Sequence, residues 1–320
     1  MHEYLKRLSN QINAVTSSFQ KMPTSTKAFI IILILFLIIL YSIRVNIDVG
    51  VGKEGFSQDN QFLFKTGPEV YDKFYATIYD YLVYSSHKGD YEIGEIINKT
   101  SPTSQSKILD VGCGTGHHVA KLEEKDLNAI GLDISESMIE KARQNYPNYT
   151  FKVGDALDNH AVMHGAYTHV LCLYFTIYYF PDKMLFFQNA FAWLQPGGFL
   201  IIHLVNRDKF DPILPPGNPL IYVSPQNYSK KRITHTNLVF DQFDYKANFD
   251  LNQSTNVAKF SERFKYKDGK SRKNEHIMYM EPQDKILRQA QDVGFILESK
   301  IELLQCAYDY QYLYILVKPN

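Results

Sequence analysis

The chain has 320 residues with 34 basic and 34 acidic side chains, so the net charge is zero and nothing electrostatic favours nucleic acid as a partner. Three cysteines are too few for a disulfide framework. The length suits one domain of about 250 residues with an appendage.

Residues 1–26 form a polar tail in which Lys6, Arg7 and Lys21 outnumber Glu3. The composition then switches. Between Lys27 and Arg44 lie 16 uncharged residues, apolar on every side, which as a helix would span about 24 Å against a hydrocarbon core of about 30 Å. A core helix would carry a polar stripe, and a cleaved signal would have a shorter leader and small residues after the run. Residues 27–44 are therefore expected to be a single transmembrane helix, with the membrane as partner. Residues 45–66, carrying Gly50, Gly52 and Gly55 among charges, read as a linker.

The folded domain is expected over 67–320. Tyr71, Tyr75, Tyr79, Tyr81 and Tyr84 crowd a region read as a helix pair ahead of the core. Ile108, Leu109 and Val111 then mark a short buried strand that stops at Gly112, Gly114 and Gly116, before a helix over 119–124. Glycine reaches positive φ cheaply and lets backbone approach a ligand, so this is a nucleotide-type binding turn. It lacks the G-x-G-x-x-G spacing of a dinucleotide fold and the Lys-Ser/Thr pair of a P-loop.

A second strand, 129–133, ends in Asp133, where a carboxylate can accept both ribose hydroxyls. Ser135 opens a helix over 136–145 that contains Met138. Further strand signals follow at 151–156, containing Asp155 and Ala156, at 170–174, and after the Pro196-Gly197-Gly198 turn.

Asp110-x-Gly112-x-Gly114-x-Gly116, followed in order by Asp133, Asp155 and the Trp193–Ile202 turn and strand, resembles the class I (Rossmann-like) S-adenosylmethionine (SAM)-dependent methyltransferases. The resemblance implies an α/β fold with a doubly wound seven-stranded sheet and SAM as cofactor. It implies SAM contacts at Asp110, Gly112, Cys113, Gly114, Gly116, Asp133, Ile134, Met138, Asp155, Ala156 and Leu173. Met138 would pack the adenine and Asp155 would accept from its amino group. Cys113 is expected as a small loop filler rather than a nucleophile, and His117, His118, His160 and His164 lack the companions of a metal site, so no metal is expected. The run Tyr79-Asp80-Tyr81-Leu82-Val83-Tyr84 is similar to the leading segment of small-molecule N-methyltransferases of the amino-sugar and glycine type. There, such tyrosines fold over the methionine end of SAM.

Residues 206–281 are longer than the link after strand five of a minimal domain. Their first part is proline-rich, but Tyr245, Ala247, Phe249 and Leu251 alternate with polar residues as in a half-buried strand. A hairpin signal runs from 260–266 through Asp268-Gly269 to 276–280. A small β cap over the acceptor is expected. A last helix should run from Pro282 to Gly294, with final strands at 301–304 and 312–317.

Strand ends at the carboxyl edge face the ligand in such sheets, which makes His203 the candidate base, with Tyr79 and Tyr178 next. The expected function is a membrane-anchored, single-pass methyltransferase acting on a small-molecule acceptor, an amine in the first reading. An O- or C-methyltransferase of a lipid-like or quinone acceptor and a non-catalytic SAM-binding membrane scaffold are the alternatives. Basic residues ahead of the span favour the N-terminus inside. That would put the catalytic domain outside, but SAM is made in the cytosol, which argues the opposite, and the catalytic domain is expected on the cytosolic side.

Overall fold

The computed structural model describes residues 22–30, 32–33, 35–36, 62–212, 226 and 229–320. Two compact units divide at 57/58. In the first, the described residues from 24 to 36 are helical, with Phe29, Ile32, Leu33, Leu35 and Phe36 exposed. Most of the expected membrane span beyond residue 36, the linker up to 61 and the proline-rich stretch 213–225 lie outside the described residues. Among the described residues, no helix is long and apolar enough to cross a membrane.

The second unit opens on β1 (Phe62–Thr66) and a 3₁₀ turn, followed by α1 (Lys73–Val83) and α2 (Ser86–Thr100). The glycine-flanked strand is β2 (Lys107–Val111), and α3 (His117–Glu123) follows the turn. Next come β3 (Asn128–Asp133), α4 (Glu136–Asn145), β4 (Thr150–Val153), β5 (Tyr167–Cys172), α5 (Lys183–Trp193) and β6 (Leu194–Val205). Four further strands form the cap: β7 (His235–Val239), β8 (Phe243–Asn252), β9 (Val257–Tyr266) and β10 (Ser271–Tyr279). The chain closes with α6 (Gln283–Val293), β11 (Ile296–Glu302) and β12 (Gln311–Val317).

Seven strands form one sheet in the order β11-β12-β6-β5-β2-β3-β4. The strands from β4 to β6 run parallel, β12 is antiparallel to β6, and β11 is antiparallel to β12. Alternation along β2 sends Ile108 to one face, where Ile93, Val119, Leu122 and Ile139 of α2, α3 and α4 cover it. Leu109 points to the other, under Phe186, Phe187, Trp193 and Ile286 of α5 and α6. Burial on both faces explains the near-continuous apolar strands.

The elements match the sequence signals closely at several ends. The Ser135 hydroxyl caps α4 by accepting from Met138 N–H at 3.1 Å, and Gly294 ends α6 at φ 116°. The cap is larger than expected, a five-stranded sheet in the order β1-β10-β9-β8-β7. Residues 62–66, expected as linker, are its edge strand, paired parallel to β10. Tyr75 and Tyr79 share the single helix α1 instead of falling on a pair. Residues 303–306 are a 3₁₀ turn, and the strand before them begins at Ile296.

Candidate active site

The carboxyl ends of β2, β3 and β5 open into one cavity of about 540 Å³, roofed by α1 and the cap sheet. Its first end is built by the glycine turn. Gly112 N–H and Cys113 N–H donate to Leu132 O at 2.7 and 3.1 Å, and Gly114 N–H donates to Asp133 Oδ2 at 2.9 Å. Asp133 Oδ1 accepts from Ser135 N–H at 2.8 Å. Asp133 thus fixes the turn on one side and the start of α4 on the other, and it still faces the cavity. Burial raises its pKa, and the two backbone donors oppose the shift. Gly112 has φ 69°, and a Cβ there would lie 2.4 Å from Thr176 Cγ2, so no side chain fits.

Of the residues expected at the cofactor, Gly112, Gly114, Asp133, Ile134, Met138, Asp155 and Ala156 line this end. Ile134 is half exposed at the rim, and Met138 is buried opposite. Asp110, Cys113, Gly116 and Leu173 do not line it. Cys113 is turned toward Gly131, where an added Cβ would lie 2.6 Å from its Sγ. Leu173 packs in the core, and Gly116 stands at the start of α3, where a Cβ would strike Phe151.

Asp110 is almost fully buried behind the turn. Its Oδ2 lies 3.9 Å from His118 Nδ1, and His118 Nε2 lies 3.4 Å from Glu92 Oε2. Glu92 is paired with buried Lys88. Burial lifts the Asp110 carboxyl to about 6, although His118 works against the rise. Glu92 falls to about 2 despite its burial, because Lys88 and His118 stabilise the carboxylate.

His203, the expected base, is not at the mouth. Strand β6 continues to Val205, so His203 lies inside the sheet, fully buried. Nδ1 is bonded to Tyr174 O, and Nε2 lies 3.0 Å from Gln311 Oε1. Burial lowers its pKa to about 4. Tyr178 is also withdrawn from the cavity, its hydroxyl accepting from Val205 N–H at 2.8 Å inside the core. The 3₁₀ turn Thr176–Tyr179 points successive side chains apart, and it is Tyr179 that lines the cavity. Tyr79 does line it.

The second end is aromatic. Tyr71 packs edge-on against Tyr75, Tyr79, Tyr179 and His276, at centroid distances of 5.5 to 6.4 Å. Behind them Glu262 Oε1 accepts from Tyr75 and Tyr245 hydroxyls at 3.1 and 2.7 Å. Its Oε2 accepts from Asn274 Nδ2 at 3.2 Å and from His276 Nε2 at 2.8 Å. Burial alone would raise the Glu262 pKa, but these donors hold the carboxyl below its ordinary range. No Lys or Arg is found among the described residues that line the cavity. Tyr71, Tyr179, His276 and Glu262 carried no motif. The available signal was the polar set Arg272, Asn274 and His276 on the buried face of a strand.

Comparison with known proteins agrees with this geometry. Residues 108–198 match the family model for a methyltransferase domain. A dTDP-4-amino-2,3,4,6-tetradeoxy-D-glucose N,N-dimethyltransferase of Saccharopolyspora spinosa is 29% identical over 147 residues, 43% of this chain and 57% of that one. A dTDP-3-amino-3,4,6-trideoxy-alpha-D-glucopyranose N,N-dimethyltransferase of Streptomyces venezuelae is 28% identical over 141 residues, 42% and 58% respectively. The chain therefore spans somewhat over half the length of these curated relatives. Among solved structures, the CcbJ methyltransferase of Streptomyces caelestis superposes with a TM-score of 0.60 at 14% identity, covering 78% of this chain and 98% of that one. A SAM-dependent methyltransferase of Clostridium acetobutylicum gives 0.58 at 16% identity, covering 77% and 98%. The α/β unit thus has the fold of class I SAM-dependent methyltransferases, and its residues 108–198 match a methyltransferase domain.

Proposed function

We propose that this chain transfers a methyl group from SAM to a small-molecule amine. The observation that carries the reading is the union, in one cavity, of the Gly112–Asp133–Asp155 end with the tyrosine and histidine end. The residues present fit SAM. Asp133 would take the ribose hydroxyls, Ile134 and Met138 the two faces of the adenine, Asp155 its amino group, and Gly112 and Gly114 would leave room for the methionine moiety. When bound, SAM supplies a methyl group on a sulfonium centre whose leaving group is already activated.

The chain's own part is to orient the acceptor in line with that methyl and to exclude water from it, which in such sites supplies most of the rate. The tyrosine faces suit an organic ammonium through cation–π attraction. With no cation among the described lining residues, nothing there would neutralise a phosphate. This favours an acceptor without one. Incubation with methyl-labelled SAM and a library of amines tests the reading, and a labelled amine is expected.

Within the same proposal, residues 27–44 hold the chain at a membrane, with the catalytic domain on the cytosolic side. The uninterrupted apolar run supports this. The full chain is expected to stay with membranes through an alkaline carbonate wash, and its release would remove the anchor. Protection of the domain from protease added outside sealed cells is expected, and its digestion would reverse the orientation.

A further inference from the structure

The end of the cavity away from the glycine turn holds an arrangement that the methyltransferase reading does not by itself call for. The Glu262 carboxylate can only accept, so its contact with His276 Nε2 at 2.8 Å places the ring proton on that nitrogen. In the neutral ring Nδ1 is then an acceptor, and it lies 2.9 Å from the Tyr179 hydroxyl, which donates to it. Tyr179 also packs edge-on against Tyr71 at 5.9 Å between ring centroids, and both rings line the cavity. A hydroxyl of a cavity-lining residue, the ring nitrogen that accepts from it and a buried carboxylate stand in series.

Such a series has a use if the acceptor is an amine. An aliphatic amine with a pKa near that of lysine is neutral in fewer than about one molecule in a thousand at pH 7, and only the neutral form has a lone pair to attack with. We propose that Tyr179, His276 and Glu262 form the proton-accepting arm of the acceptor site, taking one proton from an ammonium-bearing acceptor that donates to the Tyr179 oxygen. The acceptor's N–H bond breaks, and its proton passes to the Tyr179 oxygen as the Tyr179 proton passes to His276 Nδ1. The nitrogen keeps the bonding pair. One positive charge moves from the acceptor to the imidazole, where the Glu262 carboxylate stabilises it as the third member of a triad does. The proton returns to solvent by the reverse path after the product leaves.

The other groups facing this arm are consistent with that direction. Tyr75 and Tyr79 of α1 and Tyr245 of β8 are buried phenols whose pKa values burial raises, so they stay neutral. Arg272 of β10 donates from Nη1 to both Asp72 carboxylate oxygens at 2.9 Å, and its Nε donates to Asn274 Oδ1. Its charge is thus met before it reaches the histidine. Glu262 is the carboxylate in direct contact with the ring.

The inference rests on the SAM-dependent N-methylation proposed above, and its test separates the two. SAM affinity is measured by calorimetry for the full-length wild type, Tyr179→Phe and His276→Gln, and labelled SAM is screened against primary amines, secondary amines and phenols. SAM affinity is expected within about threefold in all three proteins. With the amine that the wild type methylates, kcat at pH 7 should fall about 100-fold or more in either variant, the scale of general base catalysis. That loss should shrink as pH approaches the amine's own pKa.

Failure of all three proteins to bind SAM would overturn the cofactor assignment and the relay together. Methylation of phenols alone would overturn the ammonium acceptor. Amine methylation with unchanged pH–rate profiles in both variants would overturn the relay and leave the methyltransferase reading standing.

Discussion

Replacing Asp133 with alanine is expected to weaken SAM binding by about 2–4 kcal/mol, or roughly 30- to 1,000-fold. Two effects add. The carboxylate is the one acidic group at the end of β3 that faces the cavity beside Ile134, so its removal takes away the acceptors for the ribose hydroxyls. It also accepts from Gly114 N–H and Ser135 N–H at 2.9 and 2.8 Å, so the alanine variant frees the tip of the glycine turn from the start of α4. Calorimetric titration of wild type, Asp133→Ala and Asp133→Asn with SAM measures both. The asparagine variant keeps the size and one acceptor oxygen, and its loss is expected to be smaller. Equal affinity in wild type and alanine variant, with both folded, would move the cofactor away from β3.

A change in stability with pH is expected from Asp110→Asn. The folded protein holds the Asp110 carboxyl at about 6, whereas an unfolded chain holds it near its ordinary value of about 4. A folded pKa above the unfolded one means that the contribution of Asp110 is fully present below about pH 4 and is lost as pH rises through about 6. Above that, ionising this buried group costs the folded state roughly 3 kcal/mol, two pKa units at about 1.4 kcal/mol each. Asparagine does not titrate. Urea unfolding of wild type and variant at pH 4 and pH 7.5 is therefore expected to show the stability difference moving in favour of asparagine by roughly 3 kcal/mol between the two. No movement would mean that His118, 3.9 Å away, fully compensates the charge.

The sequence made the SAM end legible because it is local. Gly112, Gly114 and Asp133 act through backbone geometry and through a strand end, and both leave fixed spacings. The aromatic end of the cavity is assembled from Tyr71, Tyr179, Glu262 and His276, over some 200 residues of chain, and only tertiary pairing brings them together. The same cause misplaced the base. Reading β6 to end near His203 put that side chain at the mouth, but the strand runs two residues further and buries it. Tyr178 and Tyr179 could not be told apart, because a single 3₁₀ turn decides which of them faces the cavity. In the cap, the alternation of Tyr245, Ala247 and Phe249 was clear, whereas β10 alternates polar residues on its buried side and so carries no hydrophobic signal. Strand β1 was missed because Phe62 and Phe64 sit on a short edge strand with exposed faces, preceded by glycine-rich chain that reads as linker.

The measurement that bears most directly on the whole account is transfer of label from methyl-labelled SAM, followed by mass spectrometry of a cell extract incubated with the full-length protein. Labelling of a low-molecular-mass amine that carries no phosphate, by the wild type and much more slowly by Asp133→Ala, is the predicted result. SAM bound without any label leaving it, as a non-catalytic scaffold would show, or label found only on oxygen or carbon of a lipid or quinone, would contradict the account.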